Sequence, residues 1–288
     1  AEQALVAGAN TVTAFDPATD RIRQVMSVGS GPAALALAPD GIWVGNVGDR
    51  TVSRLDAESA QEVARAGGVG VPGSLAAADG MVFVADTFAG TLSTIDSRTN
   101  EVDRVVVIRG RDIVVAFGLL WLTDHVTGTV TLVNPRTLVA EGSIGLPAGS
   151  DPGAIVATAE AIFVADRAQA ALHRIDPATR SHAGTIPLCC RPTDVAWALG
   201  SIWVTSADRD RVLRVDPANG QVVRSIDVGD GPESITGTDQ GIWVAHPASG
   251  DIWRLDEKGD RAAIITVSGQ PRALAASLGS VWVAIGAP

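Results

Sequence analysis

The feature that most constrains this chain is an apolar–aromatic–apolar triplet that returns seven times. Its central residues are Trp43, Phe83, Trp121, Phe163, Trp203, Trp243 and Trp282, spaced by 40, 38, 42, 40, 40 and 39 residues. A second marker keeps step with it, a short alternating run that ends in Asp16, Asp56, Asp96, Asn134, Asp176, Asp216 or Asp256. A third is a proline or glycine eleven residues before each aromatic: Pro32, Pro72, Gly110, Pro152, Pro192, Pro232 and Pro271. Three markers in one phase, at a period of roughly forty residues, identify a repeat architecture.

Each module divides into four strands. Strand A follows the proline and alternates in size, as in Ala34-Leu35-Ala36-Leu37-Ala38. A period of two means β-structure, and small side chains suit a strand beside a crowded axis. Strand B carries the aromatic triplet, strand C the run ending in Asp or Asn, and strand D follows a turn such as Pro217-Ala218-Asn219-Gly220. Tight turns such as Pro39-Asp40-Gly41 and Leu278-Gly279-Ser280 join A to B. The expected fold is all-β, a seven-bladed β-propeller with four antiparallel strands per blade.

The ends of the chain support closure over an open solenoid. The chain begins with strands C and D and finishes with A and B, so the two ends together make one module. A blade shared between them closes the ring and removes the sheet edges that invite aggregation. The expected organisation is a single domain over 1–288, with blades at about 31–71, 72–109, 110–151, 152–191, 192–231 and 232–270, and a last one joining 271–288 to 9–30. Residues 1–8 have no clear place in this pattern.

The net charge of -10 makes phosphate backbones and anionic lipid poor partners, so no nucleic acid is expected. No run reaches the roughly 18 apolar residues that a membrane helix needs, so no insertion by this segment is expected. Ala1-Glu2-Gln3 reads as a trimmed boundary from which a signal or anchor is absent, with a tether to a membrane protein as one setting. A monomer is expected.

The module "GP…LA…DGIWVGNVGDRTVSRLD" resembles the YVTN-type repeat and the related repeat of streptogramin B lyases, and more loosely the NHL repeat. The resemblance covers nearly the whole chain and implies the propeller fold. It also implies a bacterial protein in an extracellular or cell-envelope setting, as a sensor or scaffold domain. The lyases of that family use magnesium with a Glu/His constellation at the channel mouth. Here no Glu-x-His segment occurs, and the glutamates expected after strand B are replaced by Asn46, Asp86, Asp124, Asp166, Ser206, His246 and Ile285.

In a propeller of this connectivity the D–A and B–C loops emerge on one face, around the central channel. The candidate mouth residues are Asp86, Arg111, Asp112, Asp124, Asp166, Asp194, Glu233, His246 and Arg272. Converging carboxylates suit a hard cation such as Ca2+ or Mg2+, the arginines suit a carboxylate or phosphate, and solvated loop ends need no ligand at all. Asp at the end of strand B recurs as repeat-encoded structure would. The positions that break the repeat, Arg111, Glu233, His246 and Arg272, are therefore the more informative. His125, His173 and His182 read as loop or structural residues. Adjacent Cys189 and Cys190 form a vicinal disulfide or remain two thiols. Two functions follow. The favoured one is a non-catalytic propeller that binds a small polar ligand or a protein. The alternative is a metal-dependent lyase or hydrolase using Glu233 and His246.

Overall fold

The computed structural model describes residues 6–277 and 279–288. The turn read at 278–280 and the boundary read at 1–3 include positions outside those residues. Among the described residues, twenty-eight strands form seven antiparallel four-stranded sheets. Six sheets run in chain order, from β3 (Pro32–Ala38), β4 (Gly41–Asn46), β5 (Thr51–Asp56) and β6 (Gln61–Ala66) onward. The seventh joins β27 (Gln270–Ser277) and β28 (Ser280–Gly286) to β1 (Thr11–Phe15) and β2 (Ile22–Ser27), with Thr13 opposite Val283. Each innermost strand lies against the innermost strands of both neighbours, all the way round, so the ring is closed.

The aromatic triplet sits where neighbouring sheets face each other. Trp43, Trp121, Trp203 and Trp243 are 0% exposed, and Phe83, Phe163 and Trp282 at most 2%. Large rings fill the wedge between twisted sheets, which is why every module needs one at this position.

The Asp or Asn that ends strand C has a local cause. Its Oδ1 accepts amides from the turn that follows, as Asp56 does from Glu58 and Ser59 and Asn134 from Arg136 and Thr137. This Asx arrangement lets the chain reverse, and a left-handed residue such as Ala60, Asn100 or Leu138 completes the turn. In every blade the C–D pairing also slips by one residue beside this corner, between Arg54 and Leu55 for example. Such a bulge strengthens the local twist.

Ala7 and Gly8, for which the repeat offers no place, are used in closure. Gly8 bridges Ser268 in parallel, Ser268 donates to the Ala7 carbonyl at 2.8 Å, and Ala7 packs with Phe15 and Val267.

Candidate functional site

At the start of strand A the chain approaches the axis, and here the blades differ. In four blades strand A opens with a register slip, as between Pro32 and Ala34, and the first residues of the strand that line the mouth are small or neutral except Arg272. In the other three, strand A is shorter, beginning at Ile113, Val195 and Ser234. The segment before it carries Arg111-Asp112, Thr193-Asp194 and Glu233, held by backbone bonds such as Arg111 N–H to Thr123 O at 2.7 Å and Glu233 N–H to Ala245 O at 3.0 Å.

These segments surround an axial cavity of about 290 Å³, lined by Arg111, Asp112, Asp194, Glu233 and Arg272 among others. Five of the nine candidate residues thus meet at the mouth. Arg167, which the sequence reading missed, lines it too. It follows the strand-B Asp, where other blades carry Val47, Thr87, His125, Ala207, Pro247 or Gly286. A unique guanidinium at that repeat position was the available signal.

Below the rim, Asp112 and Asp194 stitch the A strands together. Asp112 accepts Ile113 N–H at 2.9 Å, Ile155 N–H at 2.9 Å and Ser74 Oγ–H at 2.6 Å, so it links three successive blades. Asp194 accepts Val195 N–H at 2.8 Å and Ile235 N–H at 3.0 Å, and Ser234 Oγ accepts Leu274 N–H at 3.2 Å. Amides of strand A that face the channel have no strand partner on that side, and these side chains satisfy them. Burial pushes the Asp112 carboxyl up. Burial, reinforced by the charge of Asp112 and opposed by the Ile235 amide, lifts Asp194 from 3.8 to about 7.

The rim is charged. Arg111 pairs with Asp151 at 3.1 Å and Arg272 with Glu233 at 3.7 Å, both partly exposed, while exposed Arg167 makes no ion pair among the described residues.

The other four candidates are not in the cavity lining. Asp86, Asp124 and Asp166 are buried caps of their own B–C turns, accepting the amides of Phe88 and Ala89, of Val126, and of Ala168 and Gln169. Asp86 and Asp166 also accept Val71 N–H and Asp151 N–H from the preceding D–A loop. His246 occupies the same repeat position but cannot accept amides in the same way. It is 0% exposed, packs on Trp253 at 5.3 Å between centroids, and neither ring nitrogen has a partner. Burial lowers its pKa, against the pull of Asp251, so it stands neutral. Trp253 is itself half-buried, with the Arg261 guanidinium over its ring at 5.1 Å.

His173 is fully buried, with Nε2 2.9 Å from Asp166 Oδ2 and Nδ1 3.1 Å from Thr185 Oγ1. Cys189 is exposed and Cys190 buried, with sulfurs 2.9 Å apart as thiols, and burial together with Cys189 pushes the Cys190 thiol up to about 11.

A magnesium or calcium site does not fit these residues. Both oxygens of Asp112 and of Asp194 already accept amides, Glu233 faces Arg272, and His246 lies outside the cavity lining. Among the described residues no three His, Cys, Asp or Glu side chains are grouped to hold a metal ion.

The fold and site define a seven-bladed β-propeller with a polar, arginine-rimmed axial mouth. Among solved structures it is similar to a streptogramin B lyase, at TM-score 0.77 and 17% identity, covering 89% of this chain and 91% of that one. It is similar to the hydrazine synthase of Kuenenia stuttgartiensis at TM-score 0.75 and 15% identity, covering 90% of each. It is also similar to BamB from Moraxella catarrhalis at TM-score 0.67 and 11% identity, covering 98% and 94%. No family model and no curated protein matches the sequence. At these identities the likeness concerns the fold, and function has to be argued from the site. No described helix is long and apolar enough to cross a membrane.

Proposed function

We propose that this is a non-catalytic binding propeller whose axial mouth takes a small anion, a carboxylate or a phosphate. The observation that carries this reading is the set of three guanidiniums, Arg111, Arg167 and Arg272, around one polar cavity in a chain of net charge -10. A planar guanidinium matches an oxyanion with two parallel hydrogen bonds, and a concave site concentrates the local field against the overall charge. The lyase alternative has weaker support, because Glu233 is turned to Arg272 and His246 is enclosed by Trp253.

Thermal shift and calorimetry with inorganic phosphate and succinate test this directly. A hundredfold excess over Kd is expected to stabilise by about 2.7 kcal/mol. Arg167→Gln with Arg272→Gln is expected to remove the shift while the unliganded fold persists. No shift with either anion, or an unchanged shift in the double variant, overturns the reading. Affinity also carries a pH signature. As pH rises through about 7, Asp194 gains its charge within the same cavity, so binding of succinate, whose own charge changes little there, is expected to weaken by about three- to tenfold. Affinity that is flat between pH 6 and 8 counts against Asp194 facing the ligand.

This reading keeps the extracellular or envelope setting inferred from the sequence. In such a setting Cys189 and Cys190 are expected to be joined, giving an intact mass lower by two hydrogens than after reduction. An unchanged mass after purification from an oxidising compartment rejects that pairing.

A further inference from the structure

On the face opposite the mouth, four blades carry an arginine on strand C directly across from the strand-B aromatic: Arg54 from Trp43, Arg174 from Phe163, Arg214 from Trp203 and Arg254 from Trp243. In three of them this arginine ties its blade to the C–D turn of the next. Arg54 donates to Ser97 O at 2.7 Å and Asn100 Oδ1 at 2.9 Å, Arg214 to Glu257 O at 3.2 Å, and Arg254 to both oxygens of Asp20 at 2.6 and 2.8 Å. Arg54 and Arg214 also lie over their tryptophans at 5.5 and 5.3 Å.

Arg174 departs from this pattern. Its side chain makes no ion pair or hydrogen bond among the described residues, and its Nε is buried without a partner. The ring beside it is the smaller phenyl of Phe163. On the next blade the strand-A position that elsewhere holds Leu37, Ala77, Val115, Ala157, Gly237 or Ala276 holds Trp197, 40% exposed. The space that a tryptophan and a tied arginine fill elsewhere is here a cavity of about 410 Å³, bounded by Phe163, Arg174, Trp197, Glu160 and Pro217. The second phenylalanine blade shows the same opening, about 380 Å³ beside Phe83, but there Thr94 replaces the arginine.

We propose that the cleft between the Phe163 and Trp197 blades is a second binding site, separate from the axial mouth, for a small aromatic monocarboxylate. Phe163 and Trp197 supply flat apolar walls for a ring, and the unpaired Arg174 supplies the counter-charge. The volume lies within the usual range for small-molecule clefts, roughly 300–1,000 Å³. Glu160 at the edge disfavours a second anionic group on the ligand.

The probe is indole-3-acetate, compared with indole-3-acetamide, which has the same ring and no charge. Titration of the full chain by calorimetry is expected to give a Kd at or below about 1 mM for the acid and at least tenfold weaker binding of the amide. Arg174→Gln is expected to erase that difference. Phe163→Trp, which installs the ring that five of the other six blades carry, is expected to abolish binding of both probes at this cleft without lowering Tm. These differences are expected to persist in the Arg167→Gln/Arg272→Gln background, where the axial mouth is disabled. In that background, no binding up to about 10 mM, equal affinity for acid and amide, or retained binding in Phe163→Trp each overturns the proposal.

Discussion

Replacing Thr13 by proline is expected to abolish cooperative folding of the whole ring. Thr13 is 0% exposed and sits in a strand paired on both sides, opposite Val25 in β2 and Val283 in β28. Proline in a central strand removes a ladder donor and is found essentially only on edge strands or at bulges. The position multiplies that loss. The β1–β28 pairing is the joint at which the two ends of the chain close the ring, so weakening it exposes two sheet edges as well as losing local bonds. Against a typical net stability of about 5–15 kcal/mol, this is enough to populate open forms that associate edge to edge. Urea denaturation with near-UV circular dichroism, alongside gel filtration, reads both effects. The control is Val223→Pro. Val223 is 53% exposed in an outermost strand and falls at the slip between the Arg214–Arg224 and Val215–Val222 pairs. Proline is tolerated at bulges. Equal damage from the two prolines would show that ring closure carries no special weight.

Asp166→Ala is expected to destabilise the fold by about 3–5 kcal/mol, a fall in Tm of roughly 6–20 °C, because it removes one half of a buried pair and orphans several amides. Asp166 accepts the amides of Asp151, Ala168 and Gln169 and is bonded to His173, with both side chains 0% exposed. Burial alone opposes its charge, but His173, Ser150 and the Asp151 and Gln169 amides together hold its pKa below the ordinary 3.8. A carboxyl lowered on folding contributes stability that is complete above its unfolded value and disappears as pH falls through the folded one. The gap between the parent protein and Asp166→Ala is therefore expected to be widest near pH 7 and to shrink below about pH 4. A pH-independent gap would mean that packing, rather than charge, is what the substitution removes.

The turn-capping role of Asp166 was partly legible in the sequence, since an Asp that recurs after strand B behaves as part of the module. Its pairing with His173 was not, because that depends on strand C placing residue 173 opposite Val164 and turning its ring into the blade. The acidic candidates at the ends of strand B and those at the start of strand A look equivalent in the sequence. The structure separates them. Short polar groups after strand B bend back onto their own turn amides, while those before strand A face the axis, where the amides have no neighbouring strand to pair with. His246 broke the repeat and so drew attention as a functional residue, yet its side chain is enclosed. Arg167, one residue beyond the same position in its blade, reaches the mouth.

The sequence by itself determined the number of blades, their four-strand composition and the joining of the two ends. Each of these follows from periodicity and local turn chemistry, which repeat regardless of what surrounds them. Only the tertiary structure decided which charges converge. Convergence at the axis is set by how far each A strand extends before it pairs, by the bulges that redirect its first residues, and by whether an arginine between two blades finds the next blade's turn. Those are relations between blades, and a one-dimensional period carries no record of them.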